Sequence, residues 1–385
     1  MSHLDADCTA VFARRLFDGA GDAPQENRVV EIASGRIQGI RTADPSDLGA
    51  MPVAEIVAPG FIDLQINGAG DSQFNFDPSP DTLARMAAAA RCGGTAHLLP
   101  TFITAPGRSY LAAMTAVRAA CASGLPGILG LHLEGPFLSP DRPGIHDPAA
   151  IRPLAPEDMA ALTAGFPAPL LMTLAPECQP EGYLAALAAA GVILSVGHSA
   201  ATAEEVAAAE AAGLRCATHL FNAMSQMTGR APGVVGAVLA SDHLYAGIIA
   251  DGHHVAWENI RIAVKAMGPR LCLVTDAMLT LAGTAQGFSL HGVEITLQGD
   301  RLTDAKGTLA GAHLAMDAAV RRVMQGAGVS LPLALRMAST HPAAALGLGG
   351  ELGRIAPGYR ASLTLLDADL TARGVVVDGR YFPQG

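Results

Sequence analysis

Gly127-Ile128-Leu129-Gly130-Leu131-His132-Leu133-Glu134-Gly135-Pro136-Phe137 is an apolar run that ends abruptly in a carboxylate and then breaks on Gly-Pro. Such a run predicts a strand buried on both faces, as in a parallel sheet. An acid at the end of a buried strand carries a desolvation cost that a bound partner has to offset. Glu134 therefore marks the edge of a site as well as the end of a strand.

The same design recurs on both sides of this stretch. Apolar runs occupy residues 56–65, 95–101, 128–134, 170–177, 192–198, 216–220, 246–251 and 271–276. Ala-rich stretches with helical character lie between most of them, at 81–91, 109–122, 157–164, 181–190, 202–212 and 258–267. The link from the sixth run to the seventh has the least helical pattern. Eight such alternations predict an α/β fold of the (β/α)8 TIM-barrel type. A doubly wound sheet is the alternative, but no G-x-G-x-x-G follows the first strand. Residues 312–325 and 331–339 are expected to be closing helices.

The two chain ends have a different texture. Val29–Ile32 and Arg36–Ile40 flank Ala33-Ser34-Gly35, a hairpin signal, and short apolar runs return at 361–367 and 374–380. Both ends are expected to build one small β-sandwich domain, from 1–57 and 356–385, around a catalytic barrel at 58–355.

Composition narrows the partners. With 385 residues, half of them hydrophobic and 16% charged, the chain is long enough for a large core. A net charge of -10 argues against nucleic acid or an anionic membrane as the main partner. The six cysteines (Cys8, Cys92, Cys121, Cys178, Cys216 and Cys272) form no CxxC pair and read as reduced residues of a cytoplasmic protein. No basic stretch followed by an apolar core opens the chain, so no signal peptide is expected, and no apolar run is long enough to span a membrane.

In a barrel of this type the C-terminal strand ends form the active face. Those ends supply Gln65 and Asn67, Glu134, Glu177, His198, His219, Asp251 and Asp276. Glu134, His198 and His219 offer one carboxylate oxygen and two imidazole nitrogens, the ligand pattern of a catalytic divalent metal such as zinc or ferrous iron. A lone histidine of this kind is more often a hydrogen-bonded core residue; three ligands at one barrel mouth reverse those odds. Asp276 is placed to take and return a proton beside such a metal, against the plainer role of capping the next segment. Arg230, in a Gly/Pro loop, suits a phosphate or plain solvent. Of His253 and His254, adjacent on a strand-like segment, one is expected to face the pocket. His146 could serve a substrate carbonyl or sit on an exposed loop, and 308–312 reads as a loop before a helix. His3, His97, His243, His291, His313 and His341 fit no cluster.

Taken together, the segments Pro59-Gly60-Phe61-Ile62-Asp63-Leu64-Gln65-Ile66-Asn67-Gly68, His132-Leu133-Glu134-Gly135-Pro136-Phe137, Gly197-His198-Ser199, Thr218-His219-Leu220-Phe221-Asn222-Ala223-Met224, Asp251-Gly252-His253-His254 and Val274-Thr275-Asp276-Ala277 resemble the N-acetylglucosamine-6-phosphate deacetylases of the amidohydrolase superfamily. The resemblance covers essentially the whole chain. It implies one divalent metal ion per subunit on Glu134, His198 and His219, with Asp276 as catalytic acid/base and His146 polarising the acetyl carbonyl. It also implies substrate contacts from Gln65, Ile145, Asn222, Ala223, Arg230, His254, Leu309, Ala310 and Gly311. Arg230 is expected to reach the neighbouring subunit's site, making a homodimer. Gln65 and Asn67 stand where the wider superfamily has H-x-H, and no lysine ends the fourth strand, which favours one metal over two. Two positions depart from the family pattern, His97 and Ala200, where asparagine is usual. Rival expectations are deacetylation of N-acetylgalactosamine-6-phosphate or another N-acyl amino sugar, cyclic amide hydrolysis, and a non-catalytic binding barrel.

Overall fold

Eight parallel strands lie side by side in chain order: Phe61–Ile66, Thr95–Ile103, Leu131–Glu134, Leu170–Leu174, Ile193–Val196, Leu214–Ala217, Tyr245–Ile249 and Leu271–Val274. The computed structural model describes residues 6–47, 49 and 51–384. Closure of the barrel is made by the backbone beyond the eighth strand: Asp276 N donates to the Gln65 carbonyl at 2.8 Å, and Ile66 bridges Ala277 in parallel. The strands are nearly all buried, as their unbroken apolar character requires. In the opening stretch, Gly130 is needed for close approach: a Cβ there would stand 2.2 Å from the Pro169 carbonyl oxygen.

Helices connect the strands, and local signals start them. Pro80–Arg91 begins with Pro at its first position, and the Ser79 side chain accepts from Thr82 N at 3.2 Å. Ala203–Ala211 opens with a reciprocal capping box between Thr202 and Glu205. The sixth connection, weakest in the sequence pattern, does contain a helix, Gly233–Ala240.

One region departs from the simple alternation. Between the eighth strand and the helix Met316–Ala327 lies an antiparallel sheet of Gly287–Leu290, Val293–Gln298, Arg301–Thr303 and Leu309–Ala312. Residues 308–312, read from sequence as a loop, mostly form its last strand. Leu290, Ile295, Leu302 and Ala310 pack with Ile103 and Met278, which seats this insert over the barrel mouth. Leu331–Ala338 and Thr340–Ala345 follow as helices.

The chain ends share one eight-stranded sheet. Its strands lie side by side in the order Ala6–Asp7, Arg380–Pro383, Ala372–Val377, Leu363–Leu366, Val53–Pro59, Ala10–Leu16, Gln25–Ala33 and Arg36–Thr42. Ser34 and Gly35, at φ +52° and +71°, make the two-residue turn between paired Ala33 and Arg36. The sheet curls until the Gly35 turn meets Asp378 and Gly379, enclosing Val11, Leu16, Val30, Ile37, Leu363 and Val376 in a separate core. Among the described residues, no helix is long and apolar enough to cross a membrane.

Candidate active site

At the C-terminal mouth of the barrel, Glu134 is the last residue of its strand, whereas His198, His219 and Asp276 each sit two residues past theirs. All three of the latter have positive φ, +47°, +32° and +49°. This backbone costs a non-glycine residue of order 1 kcal/mol or more, and it turns each side chain inward over the barrel axis.

Glu134 Oε1 lies 2.9 Å from His219 Nε2 and 3.3 Å from His198 Nε2, and the two nitrogens are 3.0 Å apart. His198 Nδ1 is 2.9 Å from the Arg142 carbonyl, to which it must donate, so its Nε2 presents a lone pair. Converging acceptors buried at this spacing call for a shared cation, and these three residues could hold a metal ion. The remaining donors fix the carboxylates. Gln65 Nε2 donates to both Glu134 oxygens at 3.2 and 3.1 Å and to Asp276 Oδ1 at 3.2 Å, and Asn67 Nδ2 donates to the same Asp276 oxygen at 2.7 Å. One layer below, His132, Thr173, Thr218 and Ser195 form a buried chain of hydrogen bonds of 2.6–2.7 Å under the ligands.

The amidohydrolase family model matches residues 56–381, most of the chain. The chain belongs to the amidohydrolase family. It is similar to the N-acetylglucosamine-6-phosphate deacetylase of Haemophilus influenzae, 39% identical over 325 residues, covering 84% of this chain and 85% of that one. It is 37% identical over 366 residues to the N-acetylgalactosamine-6-phosphate deacetylase of a Shewanella species, covering 93% of this chain and 92% of the relative. The crystal structure of N-acetylglucosamine-6-phosphate deacetylase from Pasteurella multocida superposes with a TM-score of 0.92 at 34% identity, covering 97% of this chain and all of that one.

The electrostatics of this amidohydrolase site separate its groups. Burial alone would raise the Glu134 carboxyl, yet the neighbouring His198 and His219 imidazoles hold it well below the usual carboxylate range. Asp276 is pushed the other way, up to about 6, by burial and then by the neighbouring Glu134 charge. Burial, reinforced by His198, keeps His146 well below the usual imidazole range, so it is neutral. Its Nδ1 is 2.8 Å from Thr104 Oγ1, whose only other acceptor contact among the described residues, the Glu134 carbonyl, is long at 3.5 Å. The Thr104 hydroxyl proton therefore goes to Nδ1, which leaves the His146 proton on Nε2 as a free donor.

These groups line a cavity of about 360 Å³. Of the residues anticipated from sequence, it brings together Glu134, Ile145, His146, His198, His219, Asn222, Ala223, His254, Asp276, Leu309 and Gly311. The histidine pair divides as expected: His254 lines the cavity with Nδ1 2.6 Å from Asp251 Oδ2, while His253 Nε2 lies 2.9 Å from Asp300. Gln65 lies beneath the cavity, its amide nitrogen committed to the carboxylates, and Ala310 faces the insert's own core. Arg230 is exposed and does not line the cavity.

Glu177 has to be corrected. Its strand stops at Leu174, Pro176 starts a short 3-10 turn, and the carboxylate folds back onto Ser199 Oγ at 2.8 Å and Ala200 N at 2.6 Å. Neither His97, bonded to Ser362 at the opposite end of its strand, nor Ala200 lines the cavity. Of the histidines left unassigned, His3 lies outside the described residues. Sequence reasoning missed Thr104, Met278 and Arg301; the polar break at Thr104, ending an apolar strand, was the one available signal.

Proposed function

We propose that this amidohydrolase removes the acetyl group from N-acetylglucosamine-6-phosphate, yielding glucosamine-6-phosphate and acetate. The observation that carries the reading is the trio Glu134, His198 and His219 set beside Asp276 and a neutral His146 in one cavity. The similarity to deacetylases along nearly the whole chain supports the choice of an acetamide. Glu134, His198 and His219 would hold one divalent cation, zinc or ferrous iron, which when bound acts as a Lewis acid and lowers the pKa of water.

The chain's own groups then have distinct tasks. Asp276 takes a proton from the attacking water and returns it to the departing amine, which must leave protonated. Its raised pKa suits both transfers near neutral pH. The Nε2–H of His146 donates to the acetyl oxygen as negative charge develops there, and because the ring is neutral it adds no positive charge beside the cation. Gln65 and Asn67 hold the two carboxylates in place. Asn222, Ala223 and His254 form the sugar-phosphate end, with Ile145, Leu309 and Gly311 against the sugar. Arg230 completes the pocket of a partner subunit in a homodimer, and the free cysteines fit a cytoplasmic enzyme. Residues 58–355 form the catalytic barrel and 1–57 with 356–385 the small β domain.

The test is acetate release from N-acetylglucosamine-6-phosphate, its galacto isomer and unphosphorylated N-acetylglucosamine, with metal-loaded and chelator-stripped protein. Metal-dependent release that prefers the phosphorylated gluco sugar is expected. Preference for the galacto isomer would transfer the reading to that substrate, and no release with any metal would end it.

A further inference from the structure

Arg301 is the only lysine or arginine among the described residues that line the active-site cavity, and it comes from the inserted sheet rather than from the barrel. Its guanidinium has no hydrogen bond or ion pair among the described residues. The acidic side chains lining the same cavity, Glu134 and Asp276, are taken up by His198, His219, Gln65 and Asn67. An unpaired cation at the rim of such a cavity is free to meet an anionic group brought in by a ligand.

Although its side chain is exposed, the backbone that carries Arg301 is held on two sides. Gln298 and Arg301 face each other across the Gly299-Asp300 turn, and Gly299 supplies the positive φ of +67° that the turn needs. Asp300 is tied to the barrel, lying 2.9 Å from His253 Nε2 and 2.8 Å from Arg322 Nη2. His253 is the immediate neighbour of His254, so the turn is anchored to the segment that presents His254 to the cavity. On its other side Arg301 is in register with Ala312, whose N–H donates to the Asp276 carbonyl at 2.9 Å. The insert thus places a cation at a fixed position relative to both the sugar end and the reacting end of the site.

We infer that Arg301 binds the phosphate of the substrate within its own subunit, so that the anion is held in cis as well as by the partner's side of a dimer. This rests on the proposed sugar-phosphate substrate and adds a specificity residue to it. The planar guanidinium offers a bidentate fork, which discriminates a phosphate from a neutral hydroxyl by charge and by geometry.

The experiment measures kcat/KM for N-acetylglucosamine-6-phosphate and for N-acetylglucosamine in the metal-loaded full chain, in Arg301→Ala, Arg301→Lys and Arg230→Ala. The ratio of the two constants reports the phosphate contact alone. It should fall about 10- to 100-fold in Arg301→Ala, mainly through KM, as expected for loss of a charge-assisted contact. Arg301→Lys should recover part of the ratio, since a point charge replaces the fork. An unchanged ratio in Arg301→Ala, or equal losses on both sugars, overturns the inference while leaving the proposed function standing. So does an Arg230→Ala variant that alone removes the whole preference. If the unaltered protein shows no preference for the phosphorylated sugar, the substrate reading falls and the inference falls with it.

Discussion

Replacing Asn67 by leucine should move the acid limb of the pH–rate profile upward by about one to two pH units. Asn67 Nδ2 donates to Asp276 Oδ1 at 2.7 Å, a hydrogen bond to the charged form of the proposed base. Bonds to charged groups are worth about 1.5–3 kcal/mol, and each pH unit corresponds to about 1.4 kcal/mol. Leucine approximates the shape of asparagine without its donors. Because Asn67 Oδ1 has no partner among the described residues, the change leaves only the Asp276 carboxylate short of a bond. The sign follows directly: losing a donor to the carboxylate favours the protonated acid, so the pKa rises from its starting value of about 6.

A base must be ionised to act, so activity is lost as pH falls through this pKa and recovers above it. With a pKa near 6, roughly nine-tenths of Asp276 is ionised at pH 7; after a rise of one to two units, about a half to a tenth remains. The variant should therefore lose about two- to tenfold in kcat/KM at pH 7 and regain nearly all of it by about pH 9. A bound cation displaces both profiles together, so the separation between them is the observable. Profiles from pH 5 to 9 for both proteins check it. Coincident acid limbs, or a loss that persists undiminished at pH 9, would refute the assignment of Asp276 as the base or of Asn67 as its donor.

Thr104→Val removes the hydroxyl that sets the His146 tautomer, and kcat should drop about tenfold with little change in metal content, measured by steady-state kinetics and metal analysis. Chelation should abolish activity and lower Tm. Restoring zinc to about 100 times its Kd should return about 2.7 kcal/mol of stability, read by calorimetry, and a Tm indifferent to metal would argue against a site on Glu134, His198 and His219. Gly130→Ala forces a Cβ to 2.2 Å from the Pro169 carbonyl and should cost about 1–3 kcal/mol or more in denaturant unfolding, with kcat per folded molecule nearly preserved.

The barrel was legible because eight buried strands leave eight apolar runs, and a polar residue ending such a run is costly without a purpose. Glu134, His198, His219 and Asp276 were found by that rule, and Glu177 shows its weakness. All five residues follow similar apolar runs, but the strand before Glu177 ends at Leu174, and Pro176 diverts the acid to Ser199 and Ala200. A shift of one residue in where a strand stops decides which way its terminal side chain points. The inserted sheet was illegible for another reason: Leu290, Ile295, Leu302, Ala310 and Ala312 are the only buried hydrophobic residues of its four strands, too few to leave a pattern. Arg301 is consequently meaningless in the sequence, since its place at the cavity depends on Asp300 meeting His253, 47 residues away.

Backbone geometry adds something that neither pattern nor composition carries. His198, His219 and Asp276 all adopt positive φ, a region where glycine is at ease and other residues are strained. The chain places glycine at many of its positive-φ positions, yet at these three strand ends it keeps side chains able to bind a cation or move a proton. Relief of the backbone alone would favour substitution at each of them. Retention of the strained residues means that the energy offsetting the strain comes from what the side chains hold together, and His219→Gly should separate the two effects. The backbone at residue 219 would relax, while the Glu134 carboxylate would lose a partner 2.9 Å away and the site a nitrogen ligand. Metal affinity should then collapse while Tm without metal changes little or rises; a large fall in that Tm would show that the imidazole serves the fold rather than the cation.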